Sequence, residues 1–213
     1  DLARARGIAA LGCVCLTFDL RGHERNIEAQ ERVSREDNLA DILAAYDLLA
    51  AHEAVDPECI AVIGTSYGGY LATLLSVRRP VRWLALRVPA LYWDEQWQLP
   101  KRKLDVARLA EYRRTPLRAQ DNLALGACAE FRGDVLLVES EHDDFVPHTT
   151  LMSYRNAFDK AHSLTHRTMA GADHGLSEDR HQQAYTRILI DWVSEMVVGA
   201  RVGDYPHHLV RYS

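Results

Sequence analysis

A chain of 213 residues that is 47% hydrophobic is long enough for one well-buried core, and its length favours a single domain over two. A formal net charge of −5, with no long single-sign block, argues against a nucleic-acid partner. No apolar run approaches about twenty residues, so no membrane span is expected, and there is no signal-peptide pattern at the start. The four cysteines, at 13, 15, 59 and 128, do not read as a disulfide framework; they are expected to be small buried apolar groups, which points to a reducing, cytoplasmic setting.

Residues 2 to 10 have the pattern of the end of a helix. They feed Cys13-Val14-Cys15-Leu16-Thr17-Phe18, which is expected to be a buried strand with Cys13 and Cys15 on one face. Asp19-Leu20-Arg21-Gly22-His23 follows, with His23 expected to brace its loop by hydrogen bonding. Ser34-Arg35-Glu36-Asp37 reads as a capping start, and Leu39, Ile42, Leu43, Tyr46 and Leu49 recur at helical spacing beyond it. Asp56-Pro57 ends that helix. An apolar β-branched run from Cys59 then meets Gly64-Thr65-Ser66-Tyr67-Gly68-Gly69 and passes at once into the helical pattern of Tyr70 to Val77.

The next strand is expected within Val81 to Val88, carrying Arg82 and Arg87, with Pro89 ending it. Residues 90–131 are looser. Tyr92, Trp93 and Trp97 crowd a short span, Lys101-Arg102-Lys103 is the densest basic run and is expected to be solvated, and a helix is expected over Leu104 to Arg113. Val135 to Val138 is a clear strand, followed by an acidic loop from Glu139 to Pro147 and a helix with Leu151, Tyr154 and Phe158 inward. Leu164 to Met169 predicts the last strand and Ala170 to Gly175 the last loop. Ser177 opens a helix whose Tyr185, Ile188, Leu189, Trp192 and Met196 keep one face. Strands alternating with helices in this way indicate a mostly parallel sheet.

A strand that turns sharply into a helix holds one side chain proud of the sheet edge, and here that side chain is Ser66. A serine hydroxyl is a weak nucleophile at neutral pH, so it needs an imidazole to take its proton and a carboxylate to orient the imidazole. Asp143 lies beyond one later strand and His174 beyond the next. Asp144, adjacent to Asp143, is expected to face solvent near the start of the following helix. Glu141, His142, Asp143 and Asp144 have no partner at metal-ligand intervals, so no metal is expected, and no phosphate loop or dinucleotide fingerprint calls for a cofactor.

Gly64-x-Ser66-x-Gly68 in its strand-turn-helix setting resembles the nucleophile elbow of the α/β-hydrolase family, as do Asp143-x-x-Val146-Pro147 and His174-Gly175 in the order Ser, Asp, His. The Asp19-x-Arg21-Gly22-His23 segment is also similar to the family's, with Glu24 in place of a usual glycine. The resemblance implies an α/β-hydrolase fold with a mostly parallel sheet, helices on both faces and a short cap insertion at about 90–131. It covers a catalytic domain over residues 1–199 that would lack its N-terminal strands, with residues 200–213 a peripheral tail.

The resemblance further implies a Ser66-His174-Asp143 triad, and an oxyanion hole using the Tyr67 backbone N–H together with a second N–H from a loop upstream of Asp1. Tyr92, Trp93 and Trp97 become candidates to line the pocket for a small-molecule acyl substrate. A carboxylic ester is the expected substrate. The alternatives are a peptidase of prolyl-oligopeptidase type, whose elbow Ser66-Tyr67-Gly68-Gly69-Tyr70 resembles, and a catalytically inactive binding module on the same fold.

Overall fold

The computed structural model describes residues 2–203; within that span the side chains of residues 24, 25 and 201–203 are not described. Four parallel strands, β1 (Ala61–Thr65), β2 (Trp83–Arg87), β3 (Asp134–His142) and β4 (Ser163–Asp173), lie side by side in chain order. Parallel neighbours need crossovers. They are α3 (Tyr67–Ser76), the 88–133 excursion carrying α4 (Val106–Arg114) and α5 (Leu123–Glu130), and α6 (His148–Ala157).

Side-chain alternation along the strands builds a core on each face. Leu84, Leu86, Val135 and Leu137 pack with α3, α5 and α6, whereas Trp83, Ala85, Leu136 and Val138 pack with α1 (Leu2–Ala9) and α7 (Asp179–Gly203). α2 (Arg35–Ala50) begins at a reciprocal cap: Ser34 Oγ accepts from the Asp37 N–H at 3.1 Å, and Asp37 Oδ2 accepts from the Ser34 N–H at 2.9 Å. The expected α/β architecture, with helices on both faces of a parallel sheet, is the one observed.

Residues 13–18 depart from expectation. They form no strand, and Leu16 and Phe18 are 39% and 47% exposed. A strand holds only as part of a ladder, and among the described residues none pairs with this segment, while Ile63 on β1 is likewise exposed. The thiols follow: Cys128 is buried, but Cys13 and Cys59 are half-buried and Cys15 is exposed, which corrects the buried reading for three of the four.

β3 and β4 run further than expected, absorbing the start of the acidic loop and most of the 170–175 loop. Likewise α7 carries the chain through Gly203, past the boundary expected at 199, and the rest of the expected tail, 204–213, lies outside the described residues.

Candidate active site

The carboxyl ends of the strands deliver the chemistry. Register does the placing: Thr65 pairs with Arg87, and beyond an irregularity at Ser140/His142, His142 pairs with Asp173. The next residues on β3 and β4, Asp143 and His174, therefore leave the sheet as neighbours. The His174 Nδ1–H donates to Asp143 Oδ2 at 2.6 Å, and its Nε2 accepts from Ser66 Oγ at 3.0 Å.

Ser66 sits at φ 51°, ψ −115°, a left-handed conformation that side chains resist, between the end of β1 and the first turn of α3. Its strain is held from both sides. The Ser66 N–H donates to the Arg87 carbonyl at 2.9 Å, and the Ser66 carbonyl accepts from Tyr70 and Ala90 at 3.1 and 2.9 Å. The glycines act differently from their motif. A Cβ on Gly64 would meet the Gly68 carbonyl oxygen at 2.5 Å and one on Gly69 would meet Pro89 at 3.0 Å, whereas one on Gly68 would meet nothing. Strand and helix approach at Gly64 and Gly69; Gly68 contributes only its backbone. Tyr67 opens α3, so its N–H has no acceptor within the helix. The second oxyanion donor implied by the resemblance lies outside the described residues.

The Asp143 side chain is only 2% exposed. Burial alone would raise its carboxyl, but hydrogen bonds from His174 and from the Val146 and Phe145 N–H groups hold it below the ordinary carboxylate value. Both oxygens are committed, since Oδ1 accepts from Phe145 and Val146 at 2.9 and 2.8 Å. Asp144 is exposed.

Two groups that the sequence does not single out join the site. Arg87, 5% exposed at the end of β2, donates to the His174 carbonyl at 2.9 Å and to Ser140 Oγ at 3.4 Å. The Phe145 ring lies 5.2 Å from the His174 ring. A charge inside an apolar strand is a sequence signal for Arg87; nothing local marks Phe145.

The aromatic candidates divide. Tyr92 and Trp93, at 4% and 3% exposed, belong to the core. Tyr92 packs against Tyr67 and Tyr70, and Trp93 against Tyr112, so their rings are walled in and do not line an open pocket. Trp97 is half-buried and borders an open hollow of about 620 Å³ with Gln96, Gln98 and Leu99. Arg35, buried at the start of α2, fastens this segment by donating to the Trp93 and Glu95 carbonyls, each at 2.6 Å.

The fold is that of the α/β-hydrolases. A metagenome-derived structure from work on the lipolytic enzymes LipS and LipT superposes with a TM-score of 0.69 at 18% identity, covering 91% of this chain and 87% of that one. Est1E from Butyrivibrio proteoclasticus, with ferulic acid bound, gives 0.64 at 16% identity over 93% and 81%. The acylaminoacyl peptidase of Pyrococcus horikoshii gives 0.57 at 15% identity over 81% and 30%.

Within that fold, residues 3–199 match the prolyl oligopeptidase family, and the chain belongs to it. An uncharacterized protein of Mycobacterium tuberculosis (strain ATCC 25618 / H37Rv) is 32% identical over 151 residues, 68% of this chain and 48% of that protein. The chain thus spans about half the length of the curated relatives it matches. No helix among the described residues is long and apolar enough to cross a membrane.

Proposed function

We propose that this chain carries the catalytic site of a serine hydrolase that cleaves an acyl bond through an acyl-enzyme. The observation that carries the reading is the continuous hydrogen-bonded line from Ser66 Oγ through His174 to Asp143, at 3.0 and 2.6 Å, ending on a nucleophile held in a strained elbow. Ser66 attacks the carbonyl as His174 Nε2 takes its proton. His174 then returns that proton to the leaving group, and the same steps with water release the acid. Asp143 fixes the tautomer with the proton on Nδ1, and the Tyr67 N–H receives the developing oxyanion.

A carboxylic ester is the first substrate class. Lipolytic and esterase structures share the fold over most of their own length, which supports it. A peptidase is the second reading, favoured by the prolyl oligopeptidase family match. A fluorophosphonate probe should label Ser66 and fail on Ser66→Ala; labelling elsewhere, or none, defeats the mechanism. Comparing 4-nitrophenyl esters with aminoacyl 4-nitroanilides decides between the two classes.

A further inference from the structure

Of the basic run 101–103, Arg102 and Lys103 face solvent, but Lys101 turns inward. Its Nζ lies 4.0 Å from the centroid of the Tyr67 ring and 2.9 Å from His23 Nε2. A lysine ammonium has only donors, so His23 Nε2 accepts and the ring's proton sits on Nδ1, 3.2 Å from the Arg21 carbonyl oxygen that takes it. His23 also stacks on Tyr67, with centroids 5.4 Å apart. The ammonium is thereby fixed on the side chain that immediately follows the nucleophile.

What fixes the ammonium does not neutralise it. His23 is a neutral acceptor and the Tyr67 face offers only a quadrupole. Among the described residues no carboxylate forms an ion pair with Lys101, nor with Arg35 or Arg113, the other cations around this aromatic cluster. Arg113 spends its donors on the Leu91 and Phe145 carbonyls, at 3.0 and 3.1 Å, and Arg35 lies 5.2 Å over Trp97. Asp94 acts on Arg35 from the same segment and offsets part of that charge, whereas the groups acting on Lys101 are its burial and Arg113. Burial works against this charge, with Arg113 adding to the effect, and draws the ammonium down to about 8. With one donor given to His23, the Lys101 ammonium has further N–H groups to offer an anion.

We propose that Lys101, steadied by His23 over Tyr67, receives a carboxylate carried by the substrate, so that the site selects acyl groups that end in a negative charge. The inference rests on the serine-hydrolase reading and names its substrate class. A charge-assisted hydrogen bond in a sheltered site is worth a factor of about 10 to 100 in recognition.

The test compares kcat/KM for 4-nitrophenyl hemiglutarate with that for 4-nitrophenyl pentanoate, similar in length but neutral. The ratio should fall about 10- to 100-fold in Lys101→Met and recover largely in Lys101→Arg, which keeps the charge and also serves if the methionine variant fails to fold. A ratio unchanged in Lys101→Met overturns the proposal. The same contrast is read without turnover, as slowing of fluorophosphonate labelling at Ser66 by glutarate but not by glutaramide, lost in Lys101→Met. Labelling that glutarate affects equally in both proteins overturns this inference alone. A wild-type protein that the probe does not label at Ser66 overturns the hydrolase reading and this inference with it.

Discussion

His142 and Asp173 are register partners at the ends of β3 and β4, and because of that pairing the residues that follow them, Asp143 and His174, meet at 2.6 Å. Between Ser140 and His142 β3 advances two residues while β4 advances four, and this shift brings His174 level with Asp143. Asp143→Asn should lower kcat by about 10³- to 10⁴-fold, because an amide leaves the imidazole in the wrong tautomer. The exposed Asp144, changed to Asn, should alter kcat less than about threefold, as surface substitutions do. Equal losses in the two variants, measured on one ester, would defeat the assignment.

The close approach at Gly64 gives a stability prediction. Gly64→Ala places a Cβ against the backbone of α3 at a separation of 2.5 Å, so either strand or helix must move. A loss of about 3 kcal/mol is expected in denaturant unfolding, the upper end for overpacking. Gly68→Ala meets open space inside a helix and should gain about 0.5–1 kcal/mol from propensity. The opposite order would mean that the helix docks on the strand elsewhere.

Arg87 is expected to act as a positioning residue. Its guanidinium holds the backbone of His174, so Arg87→Met should lower kcat by about tenfold or more while KM changes little, with Arg87→Lys intermediate. A rise in KM with kcat intact would move Arg87 from positioning to substrate binding.

Lys101 makes the anion preference depend on pH. The ammonium, faced by His23, Tyr67 and Arg113, titrates near 8, below a lysine's usual range, so it is charged under that pH and neutral above it. The ratio of kcat/KM for the anionic over the neutral ester should be highest near about pH 7 and fall towards its Lys101→Met value by about pH 9.5. A ratio flat across that window would remove the lysine from substrate selection.

Local pattern carried much of this architecture. The Ser34 cap, the α2 and α7 apolar faces and the β-branched runs of β1 and β3 are legible because each is decided within a few neighbouring residues. Residues 13–18 have the same local look and form no strand, since a ladder partner is a non-local requirement that no run of residues advertises. The same limit applies at the site. That Ser66, Asp143 and His174 could share a sheet edge follows from chain order, but the pairing of His142 with Asp173 depends on register. Tyr92 and Trp93 resemble pocket lining in sequence and are core in fact, because Tyr67, Tyr70 and Tyr112 close over them. Gly69, absent from the G-x-S-x-G spacing, carries a steric demand that comes from Pro89, twenty residues on.

The elbow also has a thermodynamic side. At φ 51° and ψ −115° a residue with a Cβ is strained by about 1–3 kcal/mol, whatever its chemistry. Ser66→Gly should therefore be at least as resistant to heat as Ser66→Ala, reversing the usual ranking of glycine below alanine, although neither variant should turn over an ester. Under the proposed function, reactivity and folding thus pull in opposite directions at a single α-carbon: stability alone would favour glycine there, and the proposed turnover requires the serine.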